Sequence, residues 1–213
     1  LSRGLGDVYK RQVLASDKVH FVGQPIAMVI ADSADLAQDA AELADIEFEV
    51  LPAAADIDTA LAQEHPLHEG VAHNLSARFQ TGDAAATDQA FQNAAHTSHL
   101  KIVSQRLIGM PMEPRAVVVA PAKGAEKIKI HTPTQGMLGM VGNIAATTGL
   151  KPDQFEVLTD DVGGSFGLRG AAYSEHVLLV LAATQLNKPV RWVGSRSEVF
   201  MSDWHGRALT LDG

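Results

Sequence analysis

The feature that most constrains this chain is a glycine cluster, DDVGGSFGLRG, at residues 160–170. A strand-like run, Asp153–Thr159, precedes it, and a segment rich in Leu, Val and Ala, Ala172–Leu186, follows with helical character. Glycines let a backbone approach a ligand closely and present bare N–H groups. A helix start adds partial positive charge, so an anion is the natural guest. The spacing narrows the class. GGSFGLRG does not fit the G-x-G-x-x-G register of a dinucleotide fold, and the chain has no Gly-Lys-Ser/Thr of a P-loop. On spacing alone, a tight turn with no ligand is an equal alternative.

The elements around this loop predict a layered arrangement of helices and strands. Strands are expected at KIVSQRLI, at RAVVVA after Pro114, at KIKIH (127–131) and at PVRWVG, with a final strand in RALTLDG. TPTQG opens an apolar helix with Met137, Met140, Val141 and Ile144 on one side. Towards the N-terminus, VHFVGQPIAMVIA (19–31) reads as strand, tight turn, strand. Asp32 or Ser33 then caps a helix carrying Leu36, Ala40, Leu43 and Ala44. IEFEVL (46–51) alternates as a half-buried strand should. Residues 52–98 read as a long surface connection with a short helix near Thr87–Ala95, and a domain boundary is expected near residue 78.

Composition excludes several functions. Of 213 residues, 17 are Lys or Arg and 25 are Asp or Glu, a net charge of −8, which argues against a nucleic-acid binder. There is no cysteine, so disulfides, thiolate metal sites, cysteine nucleophiles and cysteine-held iron–sulfur clusters within this chain are ruled out. No apolar run approaches the roughly 18 residues of a membrane helix, and the acidic, signal-free chain is expected in the cytoplasm. The opening LSRGLGDVYKRQ (1–12) has no apolar stretch of a secretory signal and is expected to be a non-native leader. Both ends are expected to be cut from a longer protein.

Other residues carry chemistry. Gln135 offers both donor and acceptor at the mouth of an apolar helix, so it can hydrogen-bond an oxo group or a substrate, or simply act as a cap. Glu113 and Arg115 flank a proline between two strands, either as a substrate contact or as a structural salt bridge. His65, His68 and His73 cluster without metal-ligand spacing. Met110, Met112, Met137 and Met140 are expected near the cleft or in the core.

Several segments occur in a telling order: VGQPIAMVIADSADLAQDAAELADIEFEVLPAAAD (22–56), PMEPRA (111–116), PTQG, DDVGGSFGLRG and KPVRWVGSRSEVFMSDWHGR. Together they resemble the large, molybdopterin-binding subunit of the xanthine dehydrogenase, aldehyde oxidase and carbon monoxide dehydrogenase family. The resemblance implies an α+β chain. Residues 13–78 would be the C-terminal part of an a/b hammerhead domain with a linker, and 79–213 the start of a mixed α/β molybdenum-cofactor-binding domain. It implies that Gln135 reaches an oxo ligand of molybdenum and that Gly163, Gly164, Ser165, Phe166 and Gly167 lie against the cofactor. Read from the residues themselves, Phe166, Glu113 and Arg115 are the candidates to border the substrate. Ser165 stands where many members have a third Gly, and Arg169 where many have Lys.

The implied cofactor is molybdenum-molybdopterin, in the cytosine dinucleotide form that bacterial members use. The implied partners are an iron–sulfur subunit with 2Fe-2S and an FAD subunit, assembled as a dimer of heterotrimers. The implied reaction hydroxylates an aldehyde, an N-heterocycle or a similar small substrate with oxygen from water, or oxidises carbon monoxide. The family's base is a Glu near the far C-terminus of the subunit. Glu175 and Glu198 stand in the wrong motif contexts to replace it, so the chain alone is expected to be inactive. The alternative is a non-catalytic cofactor-binding or assembly module.

Overall fold

The computed structural model describes residues 12–63, 66–68, 70–124 and 126–213. The expected leader falls, apart from Gln12, outside them. The backbone divides into two compact units, the first comprising 48–107 and 207–213 of the described chain and the second 12–47 and 108–206.

The second unit is built on a four-stranded mixed sheet. Its strands are β2 (Ala116–Ala120), β3 (Ile128–His131), β4 (Phe155–Leu158) and β5 (Val190–Val193), in the order β4-β3-β2-β5. β2 pairs antiparallel with β3 and with β5, while β3 and β4 run parallel. A parallel pair needs a crossover, and α4 (Met137–Thr148) supplies it. α5 (Ser174–Leu186) lies between β4 and β5 in the chain.

Strand alternation decides which face is covered. Val117 and Val119 are buried while Val118 between them is exposed, and Ile128 and Ile130 flank exposed Lys129 in the same way. The inward residues form one core with Met140, Ile144 and Ala145 of α4, Phe155 of β4, and Val177, Leu179, Val180 and Ala183 of α5. Gly149 ends α4 in the left-handed conformation (φ 76), which a residue without Cβ adopts without strain. Of the four methionines expected near the cleft or in the core, only Met140 is buried; Met110, Met112 and Met137 are exposed.

The same unit contains α1 (Ala34–Glu42), capped as expected by Ser33, whose Oγ accepts the Leu36 N–H at 3.2 Å. The turn expected at Gly23 forms, with Gly23 at φ 91 and the Gln24 N–H on the Phe21 carbonyl. The strands expected on either side of it do not form, nor does a strand at 46–51. A strand is stable only when a neighbour takes up its backbone groups, and neither sheet includes a partner for these segments. Ile46, Phe48 and Val50, which alternate correctly, are therefore all exposed.

The first unit holds α2 (Ile57–Ala62), α3 (Ala84–Asn93), and an antiparallel pair of β1 (Lys101–Ser104) with β6 (Leu209–Asp212). α3 is the helix expected in the long connection, begun three residues earlier because Asp83 caps it through Oδ1 to the Ala86 N–H. α2 was not foreseen; Asp56 caps it with both carboxylate oxygens on Thr59. His65 lies outside the described residues, and no group of three metal-ligating side chains occurs among those described. Among them, too, no helix is long and apolar enough to cross a membrane.

Candidate cofactor site

The glycine loop is held by three segments that meet it from different elements. The segment before β2 contributes Glu113, the segment before α4 contributes Thr134 and Gln135, and the loop's own exit contributes Arg169. All belong to the second unit.

Glu113 grips the loop entrance. Its N–H donates to the Gly163 carbonyl at 3.1 Å, and its Oε2 accepts the Gly163 N–H at 2.9 Å. The loop then turns through Gly164 (φ 110), Phe166 (φ 48) and Gly167 (φ 87). Left-handed backbone at a bulky aromatic residue is costly, and such residues cluster at functional sites. Phe166 is also 70% exposed, a large apolar ring standing clear of the core.

Gln135 grips the loop tip. Its Oε1 accepts the Gly167 N–H at 3.1 Å. Because a backbone N–H can only donate, the oxygen must face Gly167, and the Gln135 NH2 group is left turned to the other side as a donor. Among the described residues, no acceptor of the chain is paired with the N–H groups of Gly164, Ser165 or Phe166. The loop thus presents consecutive backbone donors beside an oriented amide, an arrangement suited to electron-rich ligand atoms.

Arg169 closes the loop and is itself 3% exposed. Its Nη2 donates to the Glu113 carbonyl at 2.5 Å. Its own carbonyl accepts from Gln135 N–H at 3.2 Å and from Thr134 Oγ1 at 2.8 Å. Its buried Nε has no partner among the described residues. Burial lowers its pKa from the ordinary value, with the Asp203 and Glu113 carboxylates opposing the shift.

Arg115, expected either as a substrate contact or in a structural salt bridge, forms ion pairs with Glu175 and Asp203. It is 3% exposed, and each guanidinium nitrogen has an acceptor: Nε on Glu175 at 2.6 Å, Nη1 on Asp203, and Nη2 on Ser202 Oγ at 2.6 Å. Its guanidinium also lies 4.1 Å from the Tyr173 ring centre. Burial alone would lower its pKa, but the Glu175 and Asp203 carboxylates outweigh that and raise it. Arg115 is therefore a fixed cation that ties β2 to α5 and to the end of α6 (Arg196–Ser202). Burial pushes the Tyr173 phenol up to about 12. Tyr173 OH donates to the Leu168 carbonyl at 2.9 Å, which joins this clasp to the glycine loop.

Glu198 closes a capping box with Ser195, accepting the Ser195 N–H at 2.7 Å. The Ser195-x-x-Glu198 spacing is the signal that would have revealed α6. Thr134, Arg169 and Asp203 join the residues expected around the loop. Arg169 was visible only as a departure from a familiar pattern, and Asp203 carried no local signal at all.

Comparison with known proteins fits this geometry. The molybdopterin cofactor-binding domain matches residues 67–213, and the a/b hammerhead domain of aldehyde oxidase and xanthine dehydrogenase matches residues 4–52. The chain is 37% identical, over 94% of its length, to 6-hydroxypseudooxynicotine dehydrogenase complex subunit gamma of Paenarthrobacter nicotinovorans, covering 25% of that protein. It is 31% identical, over 98% of its length, to the carbon monoxide dehydrogenase large chain of Hydrogenophaga pseudoflava, covering 27% of it. In structure it resembles quinoline 2-oxidoreductase of Pseudomonas putida 86, with a TM-score of 0.87 at 30% identity over 95% of this chain and 26% of that one. The chain thus spans about a quarter of the length of the curated relatives it matches. A domain match over most of its residues, on a fold shared with these enzymes, places the chain in the molybdopterin-binding large-subunit family of xanthine dehydrogenase, aldehyde oxidase and carbon monoxide dehydrogenase.

Proposed function

We propose that this chain is the part of a molybdenum hydroxylase large subunit that cradles molybdenum-molybdopterin. The observation that supports this most is the Gly167–Gln135 hydrogen bond, which turns the Gln135 amide donor to the side away from the loop tip. On this reading Gln135 and the backbone of Gly163, Gly164, Ser165, Phe166 and Gly167 hold the group, and the Phe166 ring borders the substrate. When bound, the group supplies the two-electron redox chemistry for oxidative hydroxylation of a small substrate with water as the oxygen source. Arg115 is read here as the buried cation of the clasp, with all three guanidinium nitrogens engaged, and Glu113 as a hold on the loop entrance through Oε2. The relatives' names span a nicotine derivative, quinoline and carbon monoxide, and the first two favour an N-heterocycle or similar small organic substrate.

The finer parts of the reading follow the family. The cofactor is the cytosine dinucleotide form. Two relatives are named as a complex subunit and a large chain, which supports partner subunits; on this reading they are iron–sulfur and FAD subunits that complete the electron path in a dimer of heterotrimers. The assembly is cytoplasmic. The chain alone does not turn over, since Glu175 and Glu198, held on Arg115 and Ser195, stand in motif contexts other than that of the family's base. The test is to assay the complex that contains this chain against N-heterocycles, aldehydes and carbon monoxide in oxygen-18 water. Label appearing in a hydroxylated product supports the reading. A folded, metal-loaded complex that oxidises none of these substrates overturns it.

A further inference from the structure

Glu113 and Arg169 form a bracket around the glycine loop that neither the sequence nor the family match assigns. Glu113 uses three of its polar atoms on this bracket. Its N–H and Oε2 hold both backbone groups of Gly163, and its carbonyl takes the Arg169 Nη2. Arg169 passes the connection on, because its own carbonyl receives the Gln135 N–H and the Thr134 hydroxyl. Thr134 also accepts the Gly136 N–H at 3.1 Å, which fixes the start of α4. The loop entrance, the loop exit and the Gln135 backbone are thus tied through two side chains. Gly163 is built for this contact, since a Cβ there would stand 2.6 Å from the Glu113 Cβ. Arg169 is buried, so its guanidinium faces protein rather than solvent.

We propose that Glu113 and Arg169 are positioning residues that set the orientation of the Gln135 amide and of the Gly163–Gly167 donors. This rests on the cofactor-cradle reading above. They act through the backbone they hold and touch neither substrate nor cofactor. Partners that orient ligand-holding groups typically change affinity or activity by about 10–100-fold when removed.

The test uses the assembled complex with four variants: Glu113→Gln, Glu113→Ala, Arg169→Lys and Arg169→Met. The readouts are kcat and KM separately, molybdenum and pterin content per chain, and the thermal midpoint. Glu113→Ala and Arg169→Met are expected to lower kcat and cofactor content together by about 10–100-fold, with little change in KM. Glu113→Gln keeps an acceptor for the Gly163 N–H, and Arg169→Lys keeps a donor for the Glu113 carbonyl. Each is expected to recover most of the loss, which a charge-dependent role for Glu113 would not allow. If Glu113→Ala raises KM with kcat unchanged, Glu113 is a substrate contact and the proposal fails. Wild-type kcat and content in both truncated variants overturn the proposal and leave the cradle reading standing. A wild-type complex that folds without molybdenum overturns both. Should a truncated variant fail to fold, the Gln and Lys variants decide alone, and a large loss of kcat in folded Glu113→Gln overturns the proposal.

Discussion

Gly163 and Glu113 pack so closely that a methyl group on the first would stand 2.6 Å from the Cβ of the second, with the carboxylate of the second on the N–H of the first. The glycine is required here for clearance, a demand separate from the backbone freedom used at Gly164 and Gly167.

Gly163→Ala is therefore expected to destabilise the chain by about 1–3 kcal/mol, the usual cost of forcing extra volume into a packed contact. Glu113→Gly removes the opposing Cβ. The double variant should cost less than the sum of the two single ones, as measured by chemical denaturation. Strict additivity would show that the clash is relieved elsewhere.

Removing the cation of the buried clasp has a larger effect. Arg115→Met leaves Asp203, whose side chain is fully buried, and Glu175 without their partner. Breaking a buried pair on one side costs about 3–5 kcal/mol. A thermal melt of the variant should show a fall of several degrees or more, and a melt like that of the wild type would mean that solvent replaces Arg115.

His176 predicts a pH dependence. Its Nδ1 accepts the Tyr173 N–H at 3.1 Å, so the neutral ring carries its proton on Nε2, which faces Thr132 Oγ1 at 3.1 Å. Burial lowers its pKa below the ordinary 6.5; Glu175 opposes the shift, while Arg115 and Arg169 add to it. The unfolded chain then takes up a proton before the folded one does. The stability from neutral His176 is thus complete above pH 6.5 and is lost as the pH falls from there towards the folded value. Protonation also removes the acceptor that caps α5. His176→Asn keeps an oxygen near the Tyr173 N–H without titrating, so its stability should fall less steeply below pH 6.5 than that of the wild type. Parallel curves would place the titration elsewhere.

Much of the second unit was legible from periodicity. β2, β3 and β4 stand where VVV, IKI and FEV announce them, and α4 and α5 follow the apolar spacing on each side of the loop. Strands at 19–31 and 46–51 were misread because alternation at Ile46, Phe48 and Val50 reports a preference for one buried face and says nothing about a neighbour to cover it. At the site, Gln135 and the glycines were visible as types and spacing. The partners of Arg115 were not, since Glu175 and Asp203 lie 60 and 88 residues away and only the folded chain brings them together. Glu113 shows the same limit: its neighbour in sequence suggested a pair with Arg115, while its carboxylate is on Gly163, 50 residues on.

The central claim is tested most directly by measuring molybdenum and pterin per chain in the purified complex, for the wild type and for Gln135→Glu, from a host that makes the cofactor. The carboxylate of the variant can still accept the Gly167 N–H but has no donor to offer. The cradle predicts stoichiometric molybdenum and pterin in the wild type and a marked loss of both in the variant, at unchanged thermal stability. A folded wild-type complex without molybdenum, or a variant that retains the full complement, would contradict it.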